Sequence, residues 1–578
     1  MRWTRRRWLS LAATPLLAQG PAVRNVRPQR RARPSGIPFE STLTDIAAAA
    51  GFTEPVIYGA PSKTTFILEA IGCGCAFLDY DNDGWLDVLL LSGTRFGDDA
   101  VDATIRLYKN NRDGTFREVT EEAGLLRTGW ASAVTVGDYD NDGFDDLFVT
   151  YWGQDVLYRN NGKGGFDDVT EPAGLLRPDR RWGSGCTWVD YDRDGHLDLF
   201  VATYLGFDPD TTPKPGEKDF CFYEGVPVNC GPRGLPPARC YLYRNDGSGR
   251  FTDVSEAAGI AAAQGSYPMT AVAADYDEDG WPDIYVACDS SPSFYFQNNR
   301  DGTFTEDALV RGVAMNEDGH EQAGMGLGVA DYDLDGDLDI FKTHFSDDTD
   351  VLYRNEGGAS FFDVTLAARI GVETRFTAWG AGIVDLDNDG LPDIFLVTGS
   401  VYPELEESLP RYPYRTPRCV FRNLGGGRFE QLIGEAGPGV AALHSSRGCA
   451  FGDFDNDGDI DILIVNMNEP PSLLRNDVNR RRHWLKVLLI GTASNRSAIG
   501  ARVTVRYGDM AQSQSVQAQS SFYSANDRRL HFGLGAADEA TVEVRWPNGG
   551  AERVGAVDAN RLIIIREGEG VADAVEFG

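Results

Sequence analysis

One nine-residue acidic pattern, Asp-x-Asp-x-Asp-Gly-x-x-Asp, occurs seven times in this chain of 578 residues. The copies begin at Asp79, Asp138, Asp190, Asp275, Asp331, Asp385 and Asp453, and each keeps all four aspartates and the glycine. General surface acidity explains neither the fixed spacing nor the glycine. A hard divalent cation explains both: it takes about six to eight oxygens, and aspartates at positions 1, 3, 5 and 9 deliver carboxylates at short reach. The carbonyl of position 7 adds another oxygen, and glycine at position 6 admits the turn that wraps the ion.

Calcium is therefore the expected ion, one per loop. The predicted ligands of the first loop are Asp79, Asp81, Asp83 and Asp87 with the carbonyl of Trp85. The second uses Asp138, Asp140, Asp142, Phe144 and Asp146, and the third Asp190, Asp192, Asp194, His196 and Asp198. The fourth uses Asp275, Asp277, Asp279, Trp281 and Asp283, and the fifth Asp331, Asp333, Asp335, Asp337 and Asp339. The sixth uses Asp385, Asp387, Asp389, Leu391 and Asp393, and the seventh Asp453, Asp455, Asp457, Asp459 and Asp461. Much of the net charge of −33 is thus ligand, and a nucleic-acid partner is not expected.

Each loop is the centre of a longer unit. A strand of small and apolar residues precedes it, as in residues 72–78, and a β-branched or aliphatic run follows, as in residues 88–91. A third strand carries Leu-Tyr-x-Asn, ending at Asn110, Asn160, Asn245 and Asn355, with degenerate copies ending at Asn298, Asn423 and Asn476. A glycine turn leads to a fourth strand of the Phe-x-x-Val-Thr type at Phe116. Four short strands per repeat predict a β-propeller blade. The seventh unit lacks a fourth strand after Asn476, whereas residues 45–52 parallel 168–175 with no blade before them. The N-terminal segment is therefore expected to complete the seventh blade and close the ring.

These repeats resemble the FG-GAP/VCBS (integrin-α-like) family, which implies an all-β, seven-bladed propeller over residues 39–476 with a calcium loop in each blade. From residue 480 the repeat stops. Alternating strands and glycine turns, with the runs His483-Trp484-Leu485-Lys486-Val487 and Phe532-Gly533-Leu534-Gly535, predict a small β-sandwich-like domain over 477–570 and a tail over 571–578. That region resembles the ASPIC/UnbV domain of bacterial exported relatives of cartilage acidic protein. At the other end, four arginines, a short apolar stretch and Ala18-Gln19-Gly20 read as a Sec or twin-arginine signal over 1–20, followed by a linker over 21–38. A secreted, periplasmic or cell-surface protein without a transmembrane segment is expected.

Strand polarity puts the acidic loops on one face and all the irregular connections on the other. The connections carry Arg181, Trp182, His320, Glu321, His344, Arg375, Trp379, His444 and Arg447, aromatic and charged groups suited to an extracellular protein or glycan. Three functions follow: a binding or adhesion protein, an enzyme acting on an extracellular polysaccharide at the channel mouth, and a purely structural surface protein. No catalytic residue is assigned, because residues 320–324 begin like a zinc-protease motif but have Gly324 where its second histidine belongs. Cys221 and Cys230, inside the long insertion of the third repeat, are the disulfide candidates; Cys240 and Cys288 are a second candidate pair. Cys75, Cys186 and Cys449 precede acidic loops at equivalent positions and are expected in the core.

Overall fold

The computed structural model describes residues 28–97, 101, 103–372, 374–478 and 481–576, so the segment 1–20 expected to be an export signal lies outside the described residues. Strand pairing builds seven four-stranded antiparallel blades. Blade one consists of Cys75–Leu78, Asp87–Leu90, Arg106–Asn110 and Phe116–Glu118 in sequential order. Blades two to six repeat that order, each acidic loop joining the first strand to the second.

Blade seven takes Ser446–Gly452, Asp461–Asn466 and Ser472–Val478 from its own repeat and Ser41–Asp45 from the N-terminus. Leu43 faces Asn476 in the antiparallel register, and Leu43 is fully buried. The closure expected from the missing strand is therefore present, and it removes an open edge that would otherwise invite pairing with another chain. The preceding residues are not a loose tether where described. Gln29 N–H donates to the Gly371 carbonyl at 2.7 Å, and the Ser35 hydroxyl donates to Glu430 at 2.7 Å.

The first strands converge on the axis, where space is short. A Cβ on Gly448 would lie 2.7 Å from the Cα of Gly74, and one on Gly74 would lie 1.9 Å from the Tyr523 carbonyl. Small residues ahead of each loop are thus a packing requirement. Cys75, Cys186 and Cys449 are all fully buried, as expected for that crowded ring.

The C-terminal domain is a sandwich of two four-stranded sheets. One contains His483–Ile490, Leu530–Gly535, Arg561–Arg566 and Gly570–Glu576; the other contains Arg502–Tyr507, Met510–Ser515, Glu539–Arg545 and Ala551–Asp558. Val503, Val505 and Tyr507 alternate inward, the period of a half-buried strand. Residues 571–576 are not a tail: they form most of an edge strand paired with Arg561–Arg566.

Residues 516–526 leave this domain and enter the propeller's centre. Ser524 Oγ accepts from Cys75 N–H of blade one, and the Tyr523 carbonyl from Val134 N–H of blade two. Gln519 accepts from Cys186 N–H of blade three, and Ser521 exchanges backbone hydrogen bonds with Leu327 of blade five. Phe522 meets Trp379 of blade six edge-on at 5.1 Å, and Ser521 Oγ contacts Cys449 Sγ of blade seven at 3.1 Å. The channel is filled by protein from the acidic-loop side.

Candidate metal centres and the opposite face

The acidic loops are prefolded. In loop one, Asp79 accepts the N–H groups of Asp83 and Gly84 at 2.9 and 2.8 Å, and Asp83 accepts that of Trp85 at 3.0 Å. The loop glycines hold positive φ, from 84° at Gly84 to 102° at Gly336. Position 9 is fixed by the third strand. The backbone N–H of each signature asparagine (Asn110, Asn160, Asn245, Asn298, Asn355, Asn423, Asn476) donates to its own position-9 aspartate at 2.7–2.9 Å.

The same asparagine also joins neighbouring loops. Its amide donates to the position-2 carbonyl of the preceding blade's loop at 2.7–3.0 Å: Asn160 to Tyr80, Asn245 to Tyr139, and so round to Asn110, which reaches Phe454 of blade seven. Leu-Tyr-x-Asn is therefore a clamp between acidic loops, a role its sequence pattern did not disclose. The residue before it is frequently basic and holds position 3: Arg159 meets Asp140 at 2.6 Å and Arg244 meets Asp192 at 2.7 Å.

Seven clusters of carboxylates result, each with ligand atoms within 4.8 Å of one another, so each could hold a metal ion. Buried carboxylate oxygens without a hydrogen-bond partner occur on Asp81, Asp140, Asp190, Asp192, Asp275, Asp331, Asp333 and Asp455, covering six of the loops. In loop six, Asp387 Oδ1 meets the Arg482 guanidinium at 2.5 Å. Burial, reinforced by neighbouring aspartates, pushes Asp79 up to about 6, Asp138, Asp190 and Asp331 to about 7, and Asp87 to about 8. Crowded anions with oxygens unused by the protein fit a hard cation.

The C-terminal sandwich lies on this loop face and presents cations to it. Lys486 contacts Asp453 with both side chains fully buried, and Arg545 contacts Asp275. Arg529 donates to the Asp453 carbonyl at 2.8 Å, and Arg528 pairs with Asp145 at 2.9 Å. Sequence reasoning placed no contact between the domain and the loops; the basic residues are too dispersed in the chain to reveal a shared surface.

On the opposite face, the expected ligand residues divide into two sets. Trp182, His344, Trp379 and Arg447 are buried, so they pack the molecule and do not form a contact surface. Arg447 lies over the Trp379 ring at 4.2 Å and donates to the Ala70 and Ser400 carbonyls; burial lowers it to about 10. His320, Glu321 and Arg375 are exposed, while His444 is half-buried and bonds Glu469 at 2.7 Å. His320, His344 and His444 therefore occupy three different environments, exposed, buried and half-buried.

The long insertion, residues 205–240, lies across this face. Phe207 packs against Phe66 and Trp152 at 5.4 Å, Asn229 donates to Thr64 at 2.7 Å, Arg233 pairs with Glu321 at 2.5 Å, and Tyr223 packs against Tyr402 and Tyr412. It therefore crosses from blade three to the connections of blades one, two, four or five, and six. Cys221 and Cys230 form the expected disulfide within it. Cys240 and Cys288, the second candidate pair, are not bridged: both are buried free thiols in one apolar cluster.

An all-β ring with one acidic loop per blade and a C-terminal sandwich defines the FG-GAP-type propellers that carry an ASPIC/UnbV domain. The chain belongs to that family: FG-GAP-like repeats match residues 79–149, 138–201, 235–286, 275–342 and 331–396, and "ASPIC and UnbV" matches 491–572. Cartilage acidic protein 1 of Homo sapiens is 29% identical over 282 residues, 46% of this chain and 39% of that protein. The Mus musculus protein is 29% identical over 282 residues, 46% of this chain and 40% of that protein. The chain thus spans about two-fifths of the length of the curated relatives it matches. Among solved structures, an Agrocybe aegerita lectin that recognises non-reducing terminal N-acetylglucosamine is 17% identical, with a TM-score of 0.37 over 68% of this chain and 88% of that one. That likeness is too loose to carry an argument about the ligand.

Proposed function

We propose that this protein is exported, that calcium in its seven loops holds the ring in shape, and that it binds an extracellular protein or glycan through the face opposite the loops. The observation that carries the metal reading is the recurrence, blade after blade, of buried carboxylate oxygens that nothing in the protein uses. Asp79, Asp81, Asp83 and Asp87 and their counterparts would hold the ion, whose chemistry there is charge neutralisation and cross-linking. The loops themselves are poor candidates for the ligand site, because the C-terminal sandwich already contacts four of them directly (Asp275, Asp387 through Arg482, Asp453, and Asn141 through Arg496 N–H at 2.8 Å). The disulfide in the opposite-face insertion supports an oxidising compartment. Among the described residues, no helix is long and apolar enough to cross a membrane.

Calorimetric titration of chelator-treated full chain with calcium tests the first part. The expected stoichiometry approaches seven per chain; saturation at one or two would sink it. Binding to an array of extracellular glycans and matrix proteins, with and without chelator, tests the second. Calcium-dependent capture supports the reading, and an empty array in both conditions favours a purely structural role.

A further inference from the structure

A cavity of about 350 Å³ lies on the face opposite the loops, between three irregular connections. One wall is the link between blades two and three, with Arg180 and Arg181; another is the base of the insertion, with Arg239 and Tyr241; Gln264 closes the third side. We propose that this cavity is a subsite for a uronate, the carboxylate-bearing sugar of an acidic extracellular polysaccharide. The proposal rests on the partner-binding reading above and narrows it to one ligand class and one place.

Charge is the first argument. The chain carries a net −33, yet three arginines line this cavity against a single carboxylate, Asp179. Asp179 engages Arg181 at 2.6 Å, and Arg239 pairs outward with Glu256, whose side chain is 79% exposed. Arg180 is exposed and rests on the Trp152 ring at 4.7 Å. An anionic ligand is favoured at this spot and disfavoured over most of the remaining surface.

Preorganisation is the second. Arg181 and Arg239 both lie over the ring of Tyr241, at 3.9 and 4.7 Å, which fixes their guanidinium planes before a ligand arrives. A planar carboxylate matches such a fork in two parallel hydrogen bonds. Shape is the third argument. The volume is at the lower end of the roughly 300–1,000 Å³ typical of small-molecule pockets, enough for a sugar ring or two. Tyr241 and Gln264 add neutral polar side chains to the lining. An acidic peptide would be better served by an unpaired strand edge or an extended groove, and this enclosure of three loops offers neither.

The test uses the calcium-loaded full chain and isothermal titration with the trisaccharide of galacturonic acid, its methyl ester, a neutral galactose trisaccharide and an oligoglutamate. The parent should bind the acid and neither uncharged sugar. Arg180→Glu and Arg239→Glu, which alter exposed or half-exposed side chains, should each bind it at least about tenfold more weakly, since a charge-assisted hydrogen bond contributes a factor of that order. Both should keep the parent's melting temperature and calcium stoichiometry. Unchanged uronate binding in the two variants would place the sugar elsewhere and overturn the subsite. Equal binding of the methyl ester, or binding of oligoglutamate in place of the sugar, would overturn the ligand class. If the uronate fails while another array ligand binds, the subsite falls and the wider binding reading stands; if nothing binds, both fall.

Discussion

Replacing one loop aspartate by asparagine should change the sign of its effect on stability according to whether calcium is present. Asp331 is the clearest position. It is 2% exposed, its Oδ2 accepts the Gly336 N–H at 3.1 Å, and its Oδ1 is buried without a partner. Burial, then the charges of Asp335 and Asp333, push it up from 3.8 to about 7, with Arg502 opposing. A carboxylate raised in this way contributes stability to the metal-free fold that is present below its unfolded pKa and is lost as pH rises through its folded one. At about pH 8, the charge on Asp331 therefore costs the metal-free protein at most about 4 kcal/mol, from roughly three pH units at 1.36 kcal/mol each, and about 1–2 kcal/mol once the loop relaxes.

Asparagine keeps the acceptor for Gly336 and places an N–H₂ where the unused oxygen lies, beside two carboxylates. In excess chelator at about pH 8, Asp331→Asn should melt higher than the parent, by roughly 1–2 °C per kcal/mol in a body this large. At about pH 4 the parent's own Asp331 is protonated, so the advantage should vanish. In excess calcium the order should reverse, because a ligand charge is lost and a site held at a hundredfold excess over its Kd contributes about 2.7 kcal/mol. Differential scanning calorimetry in the three conditions decides it. A variant that melts lower than the parent in all three would mean that Asp331 is a hydrogen-bonding strut, and the argument from crowded charge would be wrong.

Three further perturbations test the same geometry. Asn160→Ala leaves the Tyr80 and Asp145 carbonyls without their donor and should cost about 2–4 kcal/mol, read as a lower denaturation midpoint with calcium and with chelator alike. Phe522→Ala empties a fully buried site between the channel segment and Trp379 and should cost about 3–5 kcal/mol. Calorimetry of that variant should still give one transition for propeller and sandwich together; two separated transitions would show that the channel segment does not couple them. Reduction of Cys221–Cys230 should expose the insertion to limited proteolysis between residues 205 and 240 while the global melting temperature moves little, because the bridge closes only a nine-residue separation within one connection.

The ring was legible in the sequence because its signals are local. Four short strands, a loop with fixed ligand spacing and a missing fourth strand each declare themselves within about sixty residues, and Leu43 opposite Asn476 is where that arithmetic pointed. The clamp asparagines were visible as a signature but not as a function, since the contact from Asn110 to Phe454 joins residues 344 apart. Burial was the hardest property to read. Trp379 and Arg447 look like an aromatic–cation binding pair on a loop, and only the folded ring reveals that they stack at 4.2 Å in the interior. The insertion posed the same difficulty: nothing in its composition says that it lies across the face.

These placements redistribute the work of the two faces. The loop face is contacted by the sandwich, whose Lys486 and Arg545 touch loop carboxylates directly. Its segment 516–526 occupies the centre of the ring. The arginine-lined cavity lies on the outer part of the opposite face, where the links between blades meet the base of the insertion. Metal and partner are then connected only through the blades themselves. Each clamp asparagine bonds two adjacent loops, so emptying one loop perturbs the position-9 aspartate of its own blade and a carbonyl of the blade before it. Calcium removal should therefore weaken partner binding in steps that follow loop occupancy, and single-loop variants at blades two and three should weaken it most if the arginine-lined cavity is the contact. The same substitutions in blades five and six should leave that affinity near the parent value; equal losses from every blade would mean that the ring answers as a whole.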